Sequence, residues 1–357
     1  MKKLFFAGLL LLLPLAAGCA GFFDPGYIKA LYRDAGEQLL ALEDEKNLAY
    51  SPSAAALCGA LLCAGASEEE AAACAGAFGA EKDVLTENSV KALSFMDKPA
   101  FAKQGLRFSG AFWHRSGTPV SDEYKKTLES YFGAKPLAFG GGAEINKYFE
   151  ELGFASKEEC DDAALLTCAA FCAPVWDACG PETARRVDRF RPFRGQAKPC
   201  VFFPVGGKVL FGEIENGFFA SVPFAGGAMR LDIFCADNKK ALLEAVEDLA
   251  KGHGPAEYAK ERDMWILLPE TVVESREEPL LRLGKKGLRT LGYSGITGRR
   301  PVPVENMISR GALRLAPGGN AAPVEAEEEA AVTRPFLFLI RDAVFGLPVL
   351  AGICAVL

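Results

Sequence analysis

Histidine is nearly absent: His114 and His253 are the only two in 357 residues. A histidine-rich metal centre is therefore excluded, and a Ser-His or Cys-His pair would have to use one of these two. His114 follows Trp113 at the end of a strand pattern, and His253 lies between two glycines in a loop. Both read as structural, because a catalytic base also needs a nucleophile and an orienting partner. A basic excess is missing too. Forty Lys and Arg against 46 Asp and Glu leave a net charge of −6, which argues against nucleic acid as a partner. There is no G-x-S-x-G elbow, S-x-x-K, P-loop or G-x-G-x-x-G. Gly140-Gly141-Gly142 reads as a loop before a helix. Neither an enzyme nor a cofactor nor a metal is implied. No C-x-x-C pair and no zinc-like spacing occur among the 11 cysteines. The apolar C-terminal stretch 336–357 is interrupted by Arg341 and Asp342. Residues 343–357 then carry Gly346, Pro348 and Gly352. Two buried strands joined by a turn fit better than a membrane span.

What is present is a globular composition, half hydrophobic and 24% charged. It follows an export-like start. Met1-Lys2-Lys3 is basic, Leu4 to Leu13 is apolar but too short to span a bilayer, and Leu15-Ala16-Ala17-Gly18-Cys19 ends in small residues before a cysteine. The segment resembles a bacterial lipobox, so residues 1–18 are expected to be a lipoprotein signal peptide. Cys19 is then the lipid attachment site and 19–26 a tether, and the protein is exported, either membrane-anchored or extracellular. Ordinary cleavage near Gly18 or Ala20 is the alternative. Export permits disulfides among the remaining cysteines. Many of these lie in Ala-rich apolar stretches such as 54–63 and 163–172, however, where a cysteine serves as a small buried hydrophobe.

Periodicity predicts helices over 27–42, from Ser51-Pro52 through Leu62, and from the capping box Ser67-Glu68-Glu69-Glu70 to Phe78. Others are expected over 121–132, 143–152, 238–250 and 279–291. Strands are expected over 106–114 and 264–275. Residues 163–171 read as a strand buried on both faces, which should be the centre of the largest sheet with Trp176 just beyond it. From 193 to 234 the pattern is strands and tight turns, with Gly206-Gly207 and Gly226-Gly227 as hairpin signals. The elements come in uneven clusters, not in βαβ alternation. That favours a single α+β domain.

Several separated segments then resemble the serpin family. They are Asn47-Leu48-Ala49-Tyr50-Ser51-Pro52, Ala60–Ala66, Ile145-Asn146-Lys147-Tyr148-Phe149-Glu150, Leu165–Trp176, Val222-Pro223-Phe224-Ala225-Gly226-Gly227 and Leu268-Pro269 to Leu291-Gly292. Arg334-Pro335-Phe336-Leu337-Phe338-Leu339-Ile340-Arg341 is similar to the family's C-terminal signature, and Leu350-Ala351-Gly352 to its closing strand. The resemblance covers residues 27–357. It implies one α+β domain with three β-sheets and eight or nine helices. It also implies a serine-type endopeptidase inhibitor that presents a reactive loop, about 317–334, as bait. A serine (or cysteine) protease would be the partner, and the chain a monomer touching membrane only through its lipid. In inhibitory members the cleaved loop inserts into the main sheet, and the protease is trapped as an acyl-enzyme.

The loop departs from that pattern. Gly319, Ala321 and Ala322 match a flexible hinge of small residues. Pro323, which cannot donate to a sheet ladder, and Glu325, Glu327, Glu328 and Glu329 follow. Counting back from Pro335 places the bait bond near Val324-Glu325. Ala321–Thr333 spans 13 residues, at most about 45 Å when extended. Ala321–Thr333 is expected to be exposed and not to insert fully. A second departure lies in the sheet-opening region. By the resemblance it carries a polar network, and Ser51, Ala54, Cys168 and Ser309 occupy those positions here. Only Ser51 keeps the network's residue. Either control of sheet opening is lost, or the core is repacked without consequence. The alternative function is a non-inhibitory serpin-like lipoprotein acting as a binding or scaffold protein.

Overall fold

The computed structural model describes residues 22–42, 46–134, 136–253, 259–278, 292–297, 302–304, 306–322 and 328–357. One of its sheets has five strands. The order is β11 (Thr271–Glu277), β14 (Asn306–Leu315), β4 (Ala164–Cys172), β2 (Leu106–Arg115) and β3 (Leu137–Phe139). β4 pairs parallel with β14 and antiparallel with β2. Every residue of β4 is buried, and the pleat explains why. Leu166, Cys168, Ala170 and Cys172 face the main core. Leu165, Ala169 and Phe171 face a second, smaller core beneath helix α7 (Gly142–Leu152), with Ile145, Phe149, Ile308 and Ala312.

The larger sheet has eleven strands. Its main path runs β1 (Leu48–Tyr50), β18 (Pro348–Cys354), β17 (Phe336–Asp342), β9 (Met229–Ala236), β8 (Gly217–Pro223), β7 (Lys198–Ile214), β10 (Lys260–Pro269) and β16 (Glu329–Ala331). Branching from that path are β5 (Trp176–Cys179), β6 (Arg186–Phe190) and β15 (Gly319–Ala321). A short ladder joins β12 (Gly292–Tyr293) to β13 (Val302–Pro303). Helices α1 (Pro25–Leu40), α2 (Pro52–Ala64), α3 (Glu68–Ala77), α4 (Lys82–Met96), α5 (Pro99–Lys103), α6 (Asp122–Phe132), α8 (Lys239–Ala250) and the short α9 (Ser294–Thr297) complete the described elements. The architecture is α+β with three sheets among the described residues, as expected. The C-terminal β17 and β18 are adjacent, antiparallel and buried. No helix among the described residues is long and apolar enough to cross a membrane.

Three expectations need correction. The doubly buried strand is the centre of the five-stranded sheet, not of the largest one. The larger sheet outgrows it because the 17-residue β7 is long enough to pair with β5 and β6 at its start and β8 at its end. Gly206-Gly207 is not a hairpin but a bend inside β7. Gly207 has φ +95°, and a Cβ on Gly206 would overlap Trp265 and the Met264 carbonyl, so the glycines let the strand change partners without clashing with β10. The hairpin signalled by Gly226-Gly227 is found, with φ +81° and +68°. The strand expected over 264–275 is two strands in different sheets, divided after Pro269. α4 carried no sequence signal, and its N-cap Glu81 makes no side-chain cap. The helix expected over 279–291 lies outside the described residues, as do Cys19 and the signal segment.

Candidate functional site

The seam between β4 and β14 is closed. Asn306 to Leu313 pair in continuous register with Leu165 to Cys172, and Ser309 stands directly opposite Cys168. Two of the four residues expected at the sheet-opening region therefore meet. The other two sit at the start of α2, which packs beneath β2 and β4. Ser51 is the N-cap, where its Oγ accepts from the Ala54 amide at 3.1 Å and donates to the Val349 carbonyl at 2.6 Å. Its hydroxyl thus ties α2 to β18, not to the seam. Ser53, which the sequence reading passed over, does the same through a 2.5 Å bond to the Pro348 carbonyl. From α2 it is Cys58 that reaches β4. Its thiol donates to the Thr167 carbonyl at 3.3 Å and lies against Cys168, and burial pushes it well above the usual thiol range. The seam's underside is a sulfur-lined, largely apolar contact.

Above the seam a charged latch crosses two strands. Arg310 on β14 and Arg276 on β11 are register partners, an unfavourable like-charge pair on its own. Glu158, from the connection between α7 and β4, separates them. Its Oε1 accepts from Arg310 at 2.7 Å and its Oε2 from Arg276 at 2.9 Å. Arg310 is buried and also donates to the Ala155 carbonyl at 2.8 Å and to Glu274 at 3.1 Å. Its guanidinium lies 5.2 Å from the Phe149 ring centroid. Asn146 of α7 fixes the Glu158 backbone from both sides, accepting from its amide at 2.6 Å and donating to its carbonyl at 3.2 Å. Tyr148 carries the chain of contacts to β2 through a 2.7 Å bond to Ser109. The latch therefore joins the β11–β14 half of the sheet to the half holding β4 and β2. Arg276 also donates to Glu278 at 2.7 Å.

The loop leaving β14 turns away from the seam at once. Trp176, fully buried against Phe224 and Phe203, donates its indole Nε1 to the Ala316 carbonyl at 3.0 Å and its amide to the Gly318 carbonyl at 3.1 Å. Gly319 to Ala321 then run as β15, parallel to β5, and the Ala322 amide donates to the Cys179 carbonyl at 3.0 Å. Gly319 has φ +111°, and a Cβ there would overlap the Trp176 carbonyl. The hinge expected at Gly319, Ala321 and Ala322 is thus a short strand bound to the larger sheet. At the far side Glu328 accepts from the Trp265 amide at 3.1 Å, and β16 pairs parallel with β10. Within the span expected to be exposed, Glu328 and Glu329 are, but Val332 is fully buried. Val324 and Glu325 lie outside the described residues, as does Pro323.

No protein-family model matches the chain, and none of the curated proteins does. Solved structures match it closely in shape. Uncleaved ovalbumin superposes with a TM-score of 0.77 at 16% identity, over 94% of this chain and 100% of that one. A tumour suppressing serpin gives 0.76 at 17% identity, over 93% and 99%. The thermophilic serpin tengpin in its native state gives 0.74 at 18% identity, over 93% of both chains. At these identities the likeness establishes the fold, and the chain has the serpin fold.

Proposed function

We propose that the protein is an endopeptidase inhibitor of the serpin type, which offers the stretch between Ala322 and Glu328 to a serine (or cysteine) protease and catalyses nothing itself. One observation carries the reading. The central strands β4 and β14 are parallel and directly paired, and the loop springs from the end of β14 and returns through β16. A parallel pair linked to a cleavable loop is the topology in which a freed segment can lie antiparallel between the two and pair with both. The region has no Lys or Arg between Arg314 and Arg334, so trypsin-like proteases are not its targets.

A second reading, a fixed binding or scaffold protein, is favoured by a different observation: both ends of the loop are hydrogen-bonded to the larger sheet. The two readings part in one experiment. The protein is incubated with elastase-, subtilisin- and glutamyl-type proteases and run on denaturing gels. A detergent-stable complex supports inhibition by trapping. Turnover as a plain substrate, with the protease still active, supports the scaffold. We further propose that the chain acts as an exported monomer anchored by lipid at Cys19. Expression of Cys19→Ser in a bacterial host should then release it from membranes or block its processing. A soluble product unchanged in mass would count against lipidation.

A further inference from the structure

We propose that Cys63 and Cys74 are a disulfide site that staples α2 to α3. The two helices form a tight corner through Gly65, Ala66 and the capping box of Ser67 and Glu70. Cys63 is the penultimate residue of α2, and Cys74 lies about two turns into α3. Both are buried thiols, and they hydrogen-bond to one another. Their remaining contacts are reciprocal. The Cys63 sulfur donates to the Ala71 carbonyl of α3 at 3.5 Å, and the Cys74 sulfur to the Gly59 carbonyl of α2 at 3.7 Å. Each acceptor sits one turn before the other cysteine, so both sulfurs occupy the same crossing point. Close approach there depends on Gly59, where a Cβ would overlap the Phe78 ring.

The two thiols are electronically unequal. The hydrogen bond from Cys74 holds Cys63 below the usual thiol range, against the opposing effect of burial, and the nearby Lys82 charge acts in the same direction. Cys74 is pushed up by the same bond and by burial. Lys82 is steadied by a 2.7 Å ion pair with Glu68 at the start of α3. In the folding chain either sulfur can attack first, and the case of Cys63 stands for both. With a small-molecule disulfide as oxidant, its thiolate attacks one donor sulfur and releases the first donor thiolate. Cys74 then loses its proton, attacks the Cys63 sulfur of the mixed disulfide and releases the second. Two protein thiols become one disulfide while the donor disulfide becomes two thiols. The folded site is closed to solvent, so the exchange belongs to the folding chain. Cys58 and Cys168 also touch and are fully buried, which makes them the competing pair.

The full chain is refolded with oxidised and reduced glutathione, its free thiols are alkylated in denaturant, and its peptides are mapped by mass. The expected product is a Cys63–Cys74 linked peptide, two fewer alkylated thiols and full reversal by reductant. The oxidised protein should melt roughly 3–5 °C above the reduced one, a difference that vanishes in Cys63→Ala and Cys74→Ala. Mapping of the unsubstituted chain needs no variant to fold. Both thiols alkylated, a stable glutathione adduct on Cys63, or a Cys58–Cys168 link in place of the expected one would each overturn the assignment.

Discussion

Glu158 divides its two carboxylate oxygens between arginines that would otherwise face each other across β11 and β14. Replacing it by Gln keeps the volume and removes the charge. Glu158→Gln should destabilise the protein by about 3 kcal/mol, because a buried arginine loses its main counter-ion. Chemical denaturation checks this, and a loss under 1 kcal/mol would mean that Glu274 and the Ala155 carbonyl suffice for Arg310. The residue was not legible beforehand. It sits in Lys157-Glu158-Glu159, a charged run that reads as solvated, and only the tertiary position of the α7–β4 connection buries it. Ser51, Ala54, Cys168 and Ser309 could be named from the sequence only through a resemblance that maps position onto position, and the structure gives their placement: Cys168 opposite Ser309 in the seam, Ser51 and Ala54 at the start of α2. Their bonding was not legible: Ser51 turns to β18, and Cys58 takes the place beneath Cys168. At the loop, Gly319→Ala forces a side chain into left-handed backbone against the Trp176 carbonyl. A cost of about 1–3 kcal/mol is expected, together with faster proteolysis around 316–322, as β15 detaches from β5. An unchanged digestion rate would show that β15 is not held through this glycine.

Elements were read best where local chemistry is strong. The Ser67 capping box opens α3, the Ser121 cap opens α6, and the uniform apolar run of β4 appears where expected to within one residue. They were misread where one strand serves two neighbourhoods. Paired glycines usually mean reversal, but in β7 they mean a bend, and nothing local separates the two cases. Division of 264–275 between two sheets is likewise a tertiary fact. A further element contact is tight: β1 crosses over β14 at Gly311, where a Cβ would overlap the Ala49 carbonyl, and Ser275 of β11 donates to that same carbonyl at 2.5 Å. Gly311→Ala should therefore push β1 off the sheet and cost about 2–3 kcal/mol. Hydrogen exchange should quicken in both β1 and β18, its partner. If the loss is confined to β14, the crossing is looser than the structure shows.

For the whole molecule, the fold places a closed five-stranded sheet beside a loop whose described ends pair with a different sheet. On the scaffold reading, cutting the loop within 323–327 changes the melting temperature by only a few degrees, because the freed end stays bound to β5, the latch over β14 stays shut and no strand is gained. A rise of tens of degrees on cleavage would show that the segment leaves β5 and enters the β4–β14 seam. The pinned loop ends carry one more consequence. When a peptide bond between them is broken, the new amine and the new carboxyl do not diffuse apart. Ala322 remains bonded to Cys179, and Glu328 to Trp265. The two ends stay at an effective concentration in about the millimolar range or above, as for a short tether, where separate peptides would be diluted without limit. A nicked chain therefore stays one particle under native conditions and separates into two pieces only in denaturant.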